Sequence, residues 1–344
     1  MAKTPDVRAD LINYPDRARA RLHFDEFRDL KSSYASFVGW RRLPFHGQTI
    51  VVGENGLRHT TNVVSRDHAQ ATIAFFGGST MWGTGVDDQH TIPSLFVAQH
   101  RGFNVSNFGE TAYVARQSLN LLIQKYAEGV RPDIVIFYDG ANEVLHKCRR
   151  ELGPFAHARE VYIREALALY GEGMSLSALL YPIRQLAREI SQGIAGKLKP
   201  AYFYDCDVNE AKAEQIARGL LWDWLAAKNL VESTGSHFFA VLQPVAYLGA
   251  PAVGHITLEQ ELGRQYVAVY AKIRALLQQE FTLLRENFAD FGDVFDGEEP
   301  IYIDFCHVAS RGNAIVAARI GELLRRRGLE AEQTASWQPQ AGSP

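Results

Sequence analysis

The stretch ATIAFFGGSTMWG, residues 71–83, decides the fold. It begins with a short, continuous apolar run that ends in two glycines and Ser79. Apolar runs of this length that end at glycine or proline are typical of strands buried on both faces of a parallel sheet. Three further runs have the same form: FNVSNF (103–108), DIVIFY (133–138) and HFFAVLQ (237–243). Asp293–Phe295 is the candidate for a short fifth strand.

Helical patterns separate the predicted strands. Leu119, Leu122, Ile123 and Tyr126 are spaced as one face of a helix, and residues 316–324 repeat that pattern near the end of the chain. This alternation predicts a doubly wound, three-layer α/β/α domain with a mostly parallel five-stranded sheet. Ligands of such domains bind beyond the carboxyl ends of the strands.

The sheet is predicted to carry additions at three places. Residues 1–65 form an N-terminal extension, in which Glu-Asn-Gly at 54–56 predicts a turn and a hairpin. The main domain covers 66–328 and includes a helical insertion over about 147–235, longer than a crossover needs. We expect the insertion to pack on the core or to shape access to the site. Its helices are expected at 160–171, 175–197 and 209–232. The polar segment 329–344 is predicted not to fold.

Composition excludes several classes of protein. The chain is 47% hydrophobic and 22% charged with a net charge of −3, so no basic excess indicates a nucleic-acid partner. The polar start of the chain predicts neither a signal peptide nor a membrane span. Cys148, Cys206 and Cys306 lie far apart, which excludes CxxC motifs and favours a reducing compartment. We therefore expect a cytoplasmic protein, although an anchor outside this chain stays open.

Glycine and polar motifs follow the predicted strand ends. Ser79 stands behind Gly77 and Gly78, where a sharp turn is allowed and helix amides stabilise negative charge. By itself this serine is better interpreted as a helix N-cap. Gly109 follows the second strand, and Asn142, whose neutral amide can donate to an oxyanion, follows the third. We expect these residues to meet at one edge of the sheet.

A D-x-x-H step precedes the last predicted helix. Asp304 can hold one imidazole nitrogen of His307 and leave the other free for Ser79. Taken alone, His307 is better interpreted as a surface or packed histidine, which is the usual case for a single histidine in a loop. Cys306 beside it offers an alternative thiol nucleophile, a weaker interpretation because adjacent side chains normally point apart.

Competing motifs are incomplete. The sequence has no P-loop, and Gly83–Gly85 lacks the third glycine of a dinucleotide-binding loop. Glu143 and His146 match part of the zinc motif HExxH, but Asn142 replaces its first histidine. The sequence therefore predicts neither a metal nor a cofactor.

The order of these motifs resembles the four sequence blocks of the SGNH (GDSL-like) hydrolase superfamily, over about residues 71–145 and 300–325. The first block has Gly-Gly-Ser-Thr at 77–80 in place of Gly-Asp-Ser-Leu. The third has Gly-Ala-Asn-Glu at 140–143 in place of Gly-x-Asn-Asp. The resemblance implies the flavodoxin-like SGNH fold and a serine-dependent carboxylic ester hydrolase.

The resemblance also implies a role for each motif residue. Ser79 would be the nucleophile, His307 its base and Asp304 the carboxylate that orients the base. The backbone amides of Ser79 and Gly109 and the side chain of Asn142 would form the oxyanion hole. The expected substrate is a short acyl ester, such as an O-acetyl group on a saccharide, cleaved through an acyl-enzyme.

Two neighbours of these motifs are candidate substrate contacts. Trp82 lies close to the serine and Glu143 follows the asparagine, but a structural role is the favoured interpretation for both. Two other functions fit the same motifs. One is an O-acyltransferase that passes the acyl group to a saccharide, and the other is a catalytically silent carbohydrate-binding protein of the same fold. The oligomeric state is not predicted.

Overall fold

The structure, a computed structural model, describes residues 5–160, 163–164 and 203–329. Its N-terminal part holds helix α1 (Arg17–Asp29) and two small antiparallel strand pairs. Strands β1 to β4 span Ser32–Ala35, Gly39–Arg42, Phe45–His46 and Val51–Val52. The predicted turn at 54–56 is present, because Gly56 has a φ of +72° and its amide donates to the Gly53 carbonyl at 2.9 Å.

The main domain is built on a five-stranded sheet. Strands β5 to β9 span Ala71–Gly77, Phe103–Asn107, Ile134–Asp139, His237–Leu242 and Phe288–Asp290. Their spatial order is β6-β5-β7-β8-β9, and every neighbouring pair is parallel. The first four strands lie within a residue or two of the predicted runs. The predicted parallel sheet is therefore confirmed.

Helices cover both faces of the sheet. They are α2 Ser79–Trp82, α3 Ile92–Gln99, α4 Ala115–Ala127, α5 Ala141–Lys147, α6 Glu210–Glu232, α7 Gln260–Gln279 and α8 Ser310–Arg326. Alternate residues of β5 enter two separate cores. Ile73 and Phe75 pack with α3 and α8, whereas Ala74 and Phe76 pack with α4, α6 and α7. The molecule is thus the predicted three-layer α/β/α domain.

The fifth strand was predicted at the wrong place. It lies at Phe288–Asp290 rather than Asp293–Phe295, which forms turns. The Asp290 carboxylate accepts a hydrogen bond from the Gly292 amide at 2.9 Å and so ends the strand. Phe295 is buried because the turn packs it against the sheet. An apolar side chain in a turn therefore gave the same sequence signal as a short strand.

The long connection between β7 and β8 is only partly described. Of its predicted helices, 209–232 corresponds to α6, whereas 160–171 and 175–197 fall almost entirely outside the described residues. Cys148 and Cys206 form a disulfide across this connection, with sulfurs 2.05 Å apart. Cys306 is free and buried. The pairing removes the support that unpaired cysteines lent to a reducing compartment.

None of the helices in the described ranges combines the length and apolar character that crossing a bilayer requires.

Candidate active site

Ser79 begins the short helix α2, directly after the central strand β5. The chain turns sharply here because Gly77 has a φ of +155° and Gly78 leaves no room for a side chain. A Cβ on Gly77 would lie 2.5 Å from the carbonyl oxygen of Tyr138, and one on Gly78 would lie 2.4 Å from Asn142 Nδ2. The two glycines therefore bring Ser79 close to the residues that follow the neighbouring strand β7.

His307 connects Ser79 to Asp304. Its Nε2 lies 2.7 Å from the Ser79 Oγ, and its Nδ1 lies 2.7 Å and 2.9 Å from the two carboxylate oxygens of Asp304. The loop before α8 fixes this geometry, since one Asp304 oxygen also accepts from the backbone amides of Cys306 at 3.0 Å and His307 at 2.8 Å. An Nδ1–H donated to the carboxylate leaves Nε2 free to accept from the serine hydroxyl.

Asp304 stays ionised in this setting. Burial by itself would raise its pKa, but the adjacent His307 and the hydrogen bonds from its ring and the two loop amides hold the pKa well below its usual value. Arg8 adds a further contact, because its guanidinium donates to the second Asp304 oxygen at 3.1 Å. Asp6 and the ring of Phe24 hold Arg8 in place, at 2.9 Å and 4.7 Å. The N-terminal segment thus supports the carboxylate.

Asn142 lies in the first turn of α5, beside Ser79 in the same cavity. Its Nδ2 donates to the carbonyl oxygen of Tyr113 at 2.8 Å, which fixes the orientation of the amide. A side-chain amide carries two N–H groups, so one remains to donate into the cavity. This placement is the one that the sequence motif predicts for an oxyanion donor.

Gly109 is not brought into the site, contrary to the sequence-based assignment of its amide. That amide donates to the side-chain oxygen of Asn107 at 3.0 Å, and Gly109 does not line the cavity. The residue packs against α2 instead, since a Cβ there would lie 2.6 Å from the backbone nitrogen of Trp82. Glycine is needed at 109 for the close approach of two chain segments and not for a donor.

Ala112 occupies the position that was expected of Gly109. It lines the cavity with Ser79 and Asn142, and its backbone amide makes no hydrogen bond within the described ranges. Its φ of +63° is uncommon for a residue with a side chain. Nothing in the sequence marks Ala112, because a glycine would have been the expected residue for this conformation. In this segment the cavity is therefore lined by Ala112 and not by Gly109.

Trp82 and Glu143 are structural and do not line the cavity. Trp82 is fully buried, and the guanidinium of Arg58 lies 4.3 Å from its ring centroid. The Glu143 carboxylate is also fully buried and accepts from the backbone amides of Ala115 at 2.7 Å and Gly140 at 3.0 Å. It therefore caps the beginnings of α4 and α5. Both side chains therefore lie outside the cavity, in line with the structural role that the sequence favoured for them.

The cavity beside Ser79 has a volume of about 490 Å³. Helix α1 and the segments around it contribute a substantial part of its wall. The described residues that line it are Arg8, Phe27, Arg28, Leu30, Arg42, Ser79, Thr84, Thr111, Ala112, Asn142, Leu145, His146, Arg159, Phe305, Cys306 and His307. Its size suits a small organic ligand or one part of a larger one.

Asp304, Cys306 and His307 place three potential metal ligands within 4.8 Å of one another. Their environment does not fit a metal. Burial, together with the nearby Asp304 charge, raises the pKa of the Cys306 thiol, whereas a metal would bind the thiolate. The cation of Arg8 contacts Asp304, and that carboxylate occupies the Nδ1 of His307. The same raised thiol pKa disfavours Cys306 as a nucleophile.

Comparison with known proteins gives similarity at the level of structure. No protein-family model and no curated protein matches the chain. A lipolytic G-D-S-L family protein from Veillonella parvula is 12% identical, with 74% of this chain and 98% of that one covered and a TM-score of 0.40. A carbohydrate acetylesterase from Sinorhizobium meliloti is 13% identical, with 75% and 100% covered and a TM-score of 0.42.

Proposed function

We propose that this chain is a serine-dependent carboxylic ester hydrolase of the SGNH type. The observation that carries the proposal is the continuous contact from Ser79 through His307 to Asp304. Ser79 and His307 lie 228 positions apart in sequence. Nucleophile, base and orienting carboxylate in this order define the hydrolase triad by geometry and role. The fold alone would not support an activity, since one fold serves many functions.

The first half of the reaction acylates the serine. His307 Nε2 accepts the proton of the Ser79 hydroxyl while the oxygen attacks the ester carbonyl. The ionised Asp304 stabilises the imidazolium that results. His307 then gives the proton to the departing alcohol, and the acyl group stays on Ser79. In the second half, a water molecule loses a proton to His307 and attacks the acyl-enzyme; His307 then returns the proton to the Ser79 oxygen as the carboxylic acid is released.

The negative charge that develops on the carbonyl oxygen needs donors. We assign this role to the Asn142 side chain, the backbone amide of Ser79 at the start of α2, and the backbone amide of Ala112, which has no hydrogen-bond partner among the described residues. Ala112 replaces Gly109 in this set. Because these donors are fixed by the fold before substrate arrives, they stabilise the charge without reorganisation.

The substrate and the compartment are part of the proposal. A cavity of about 490 Å³ is compatible with a short acyl group such as an acetyl ester on a saccharide. The disulfide between Cys148 and Cys206 favours an oxidising compartment over the cytoplasm expected from the sequence. Non-reducing mass spectrometry of the protein purified from its native compartment tests this choice. Free thiols at both positions would favour the cytoplasm.

Hydrolysis of p-nitrophenyl acetate tests the activity. Ser79→Ala should lower kcat by about a million-fold, to the level left when a triad serine is removed. Ser233→Ala is the matched control, because Ser233 is an exposed serine at the end of α6. It should keep the wild-type rate. Wild-type turnover by Ser79→Ala would refute the proposed nucleophile.

A further inference from the structure

The charge of the cavity differs from that of the protein as a whole. The chain has 36 basic and 39 acidic residues and a net charge of −3. The described lining of the cavity nevertheless includes four arginines, Arg8, Arg28, Arg42 and Arg159, and no carboxylate. A cleft lined by one sign of charge attracts ligands of the opposite sign. The two arginines nearest to carboxylate partners, Arg8 and Arg28, are neutralised by Asp304 with Asp6 and by Asp25.

The other two arginines converge on one residue next to Ala112. Arg42 donates through Nη2 to the hydroxyl of Thr111 at 3.0 Å, and Arg159 donates through Nη1 to the carbonyl of Thr111 at 3.3 Å. The chain segment that carries Arg159 also contacts Ala112, because the His157 Nε2 lies 2.9 Å from the Ala112 carbonyl oxygen. Both guanidinium groups therefore lie beside the proposed oxyanion donors.

One carboxylate serves this pair, and its capacity is already used. Glu110 lies 3.4 Å from Arg42 and is fully buried. It also accepts from the backbone amides of Arg42 at 3.0 Å and Thr111 at 2.8 Å, and from the Thr111 hydroxyl at 3.1 Å. The Arg42 Nε is the atom that faces Glu110 at this distance, and it is buried and makes no hydrogen bond in the part of the chain that the structure describes. Arg42, Arg159 and Glu110 together thus carry a net charge of about +1. The two guanidinium groups keep N–H donors that no hydrogen bond within the described residues uses.

Of the four arginines that line the cavity, Arg159 has the least charge compensation from carboxylates in the described part of the chain. Within the described part of the chain it has no carboxylate within ion-pair distance; its guanidinium stacks over Trp40 at 4.8 Å. Partial burial lowers the pKa of Arg159 and of Arg42, although a guanidinium remains protonated near neutral pH. Partly desolvated cations with free donors are strong partners for a carboxylate or a phosphate.

We infer that the ester substrate carries an anionic group, a carboxylate or a phosphate, which binds between Arg42 and Arg159 beside Thr111. This inference rests on the proposed hydrolase function and adds a substrate class to it. The anion would anchor the substrate with its ester carbonyl against Asn142 and Ala112. A negatively charged ester is then preferred over a neutral ester of the same shape.

Matched ester pairs test the preference. On the alcohol side, 4-acetoxybenzoate and 4-acetoxyphenyl phosphate are compared with neutral 4-acetoxybenzamide. On the acyl side, mono-4-nitrophenyl adipate is compared with 4-nitrophenyl hexanoate. The wild type should show a ratio of kcat/KM, anionic to neutral, of about 10 to 100 in at least one pair, as one charge-assisted contact supplies. The phosphate and carboxylate arms identify which anion is preferred.

Variants assign the preference to the arginine cluster. Arg159→Gln should lower that ratio about tenfold or more, and Arg159→Lys should retain part of it because the charge remains. Arg101→Gln is the matched control, since Arg101 is exposed just before β6 at the opposite edge of the sheet. Its ratio should equal that of the wild type. A ratio near one in all three comparisons for the wild type would overturn the inference while leaving the hydrolase intact.

Two further readouts separate failure of the inference from failure of the proposed function. Labelling of Ser79 by a fluorophosphonate and turnover of the neutral esters report on the hydrolase alone. If both are absent, the proposed function fails. The anion site is then judged by calorimetric titration with 4-hydroxybenzoate and with inorganic phosphate. Binding of either anion that weakens about tenfold in Arg159→Gln supports the site, and no binding of either overturns it.

Discussion

The edge of the sheet and the N-terminal segment contribute to the same cavity in different ways. The sheet edge supplies the groups proposed to perform chemistry, from the ends of β5 and β7 and the loop before α8. The N-terminal segment supplies wall and charge, through Arg8, Arg28 and Arg42. Residues at the ends of parallel strands are placed by the fold, whereas residues of an added segment are placed by contacts specific to this chain. Sequence spacing therefore predicts the positions of Ser79, Asn142 and His307, but it does not predict the residues of the cavity wall.

The largest effect expected in this comparison belongs to the sheet edge. Asp304→Asn should lower kcat about ten thousand-fold, because an amide favours the wrong tautomer of His307 and no longer stabilises the imidazolium. Steady-state hydrolysis of p-nitrophenyl acetate measures it. Asp67→Asn is the control, because Asp67 is an exposed aspartate that lies far from Asp304 in sequence. A loss of less than tenfold in Asp304→Asn would remove Asp304 from the mechanism.

The next largest effect distinguishes Asn142 from Gly109. The sequence assigned both of these residues to the oxyanion hole. Asn142→Ala should lower kcat by about 100 to 1,000-fold, the usual cost of one oxyanion donor, with little change in KM. Gly109→Ala should instead destabilise the fold, because its methyl group would lie 2.6 Å from the backbone nitrogen of Trp82. Urea unfolding and kinetics measured on both variants distinguish the two roles. A stable Gly109→Ala protein with a hundred-fold lower kcat would return Gly109 to the site.

Arg8 tests the contribution of the N-terminal segment. Arg8→Gln removes the 3.1 Å contact to Asp304 and should lower kcat/KM about tenfold, the equivalent of ~1.4 kcal/mol. Arg21→Gln is the control, since Arg21 lies nearby in sequence, on helix α1, but pairs with exposed Asp10. Equal kcat/KM in Arg8→Gln and the wild type would confine the segment to a passive wall.

The same variant predicts a change in acid stability. The pKa of Asp304 is lowered in the folded protein, so its ionised form contributes stability above its ordinary pKa of about 4. That contribution is lost as the pH falls through the lowered value. Without the Arg8 cation the pKa of Asp304 is less strongly lowered, so the ionised carboxylate contributes less stability at neutral pH, and the difference from the wild type disappears only when both carboxylates are protonated. The free energy of unfolding, measured in urea at about pH 7 and then toward acid pH, checks this; equal stability of the two proteins at pH 7 would contradict it.

The smallest effect on turnover is expected at Trp82. Trp82→Phe should lower the free energy of unfolding by about 1 to 3 kcal/mol through lost packing with Phe27 and Arg58. KM should stay within about twofold of the wild type, because the ring does not line the cavity. Urea unfolding and steady-state kinetics measure the two quantities. A raised KM at unchanged stability would restore Trp82 as a substrate contact.

Sequence spacing predicts the central strands and the meeting of Ser79, Asn142 and His307 because each follows from regular structure. Continuous apolar runs mark the strands, and parallel strands end at one edge. Sequence spacing fails where a local side-chain contact or an unexpected backbone conformation changes which amide is available. The Asn107 side chain accepts the hydrogen bond of the Gly109 amide. Ala112 has a left-handed backbone conformation, which an alanine in the sequence does not predict.

Long-range contacts are the second source of error. Arg8 meets Asp304 across 296 positions, and no local pattern encodes that distance. The burial of Trp82 likewise depends on Phe27 and Arg58, which belong to the N-terminal segment. The fifth strand was missed because Phe288–Asp290 is short and only half-buried, which weakens its apolar signal. Tertiary context decides all three.

The central claim is that His307 makes Ser79 nucleophilic. Reaction of the protein with a fluorophosphonate probe, followed by peptide mass spectrometry, tests it most directly. The account predicts one modification, on Ser79, formed at least about a hundred-fold more slowly in His307→Ala, because the base that activates the hydroxyl is gone. Modification at another residue, or an unchanged rate in His307→Ala, would contradict it.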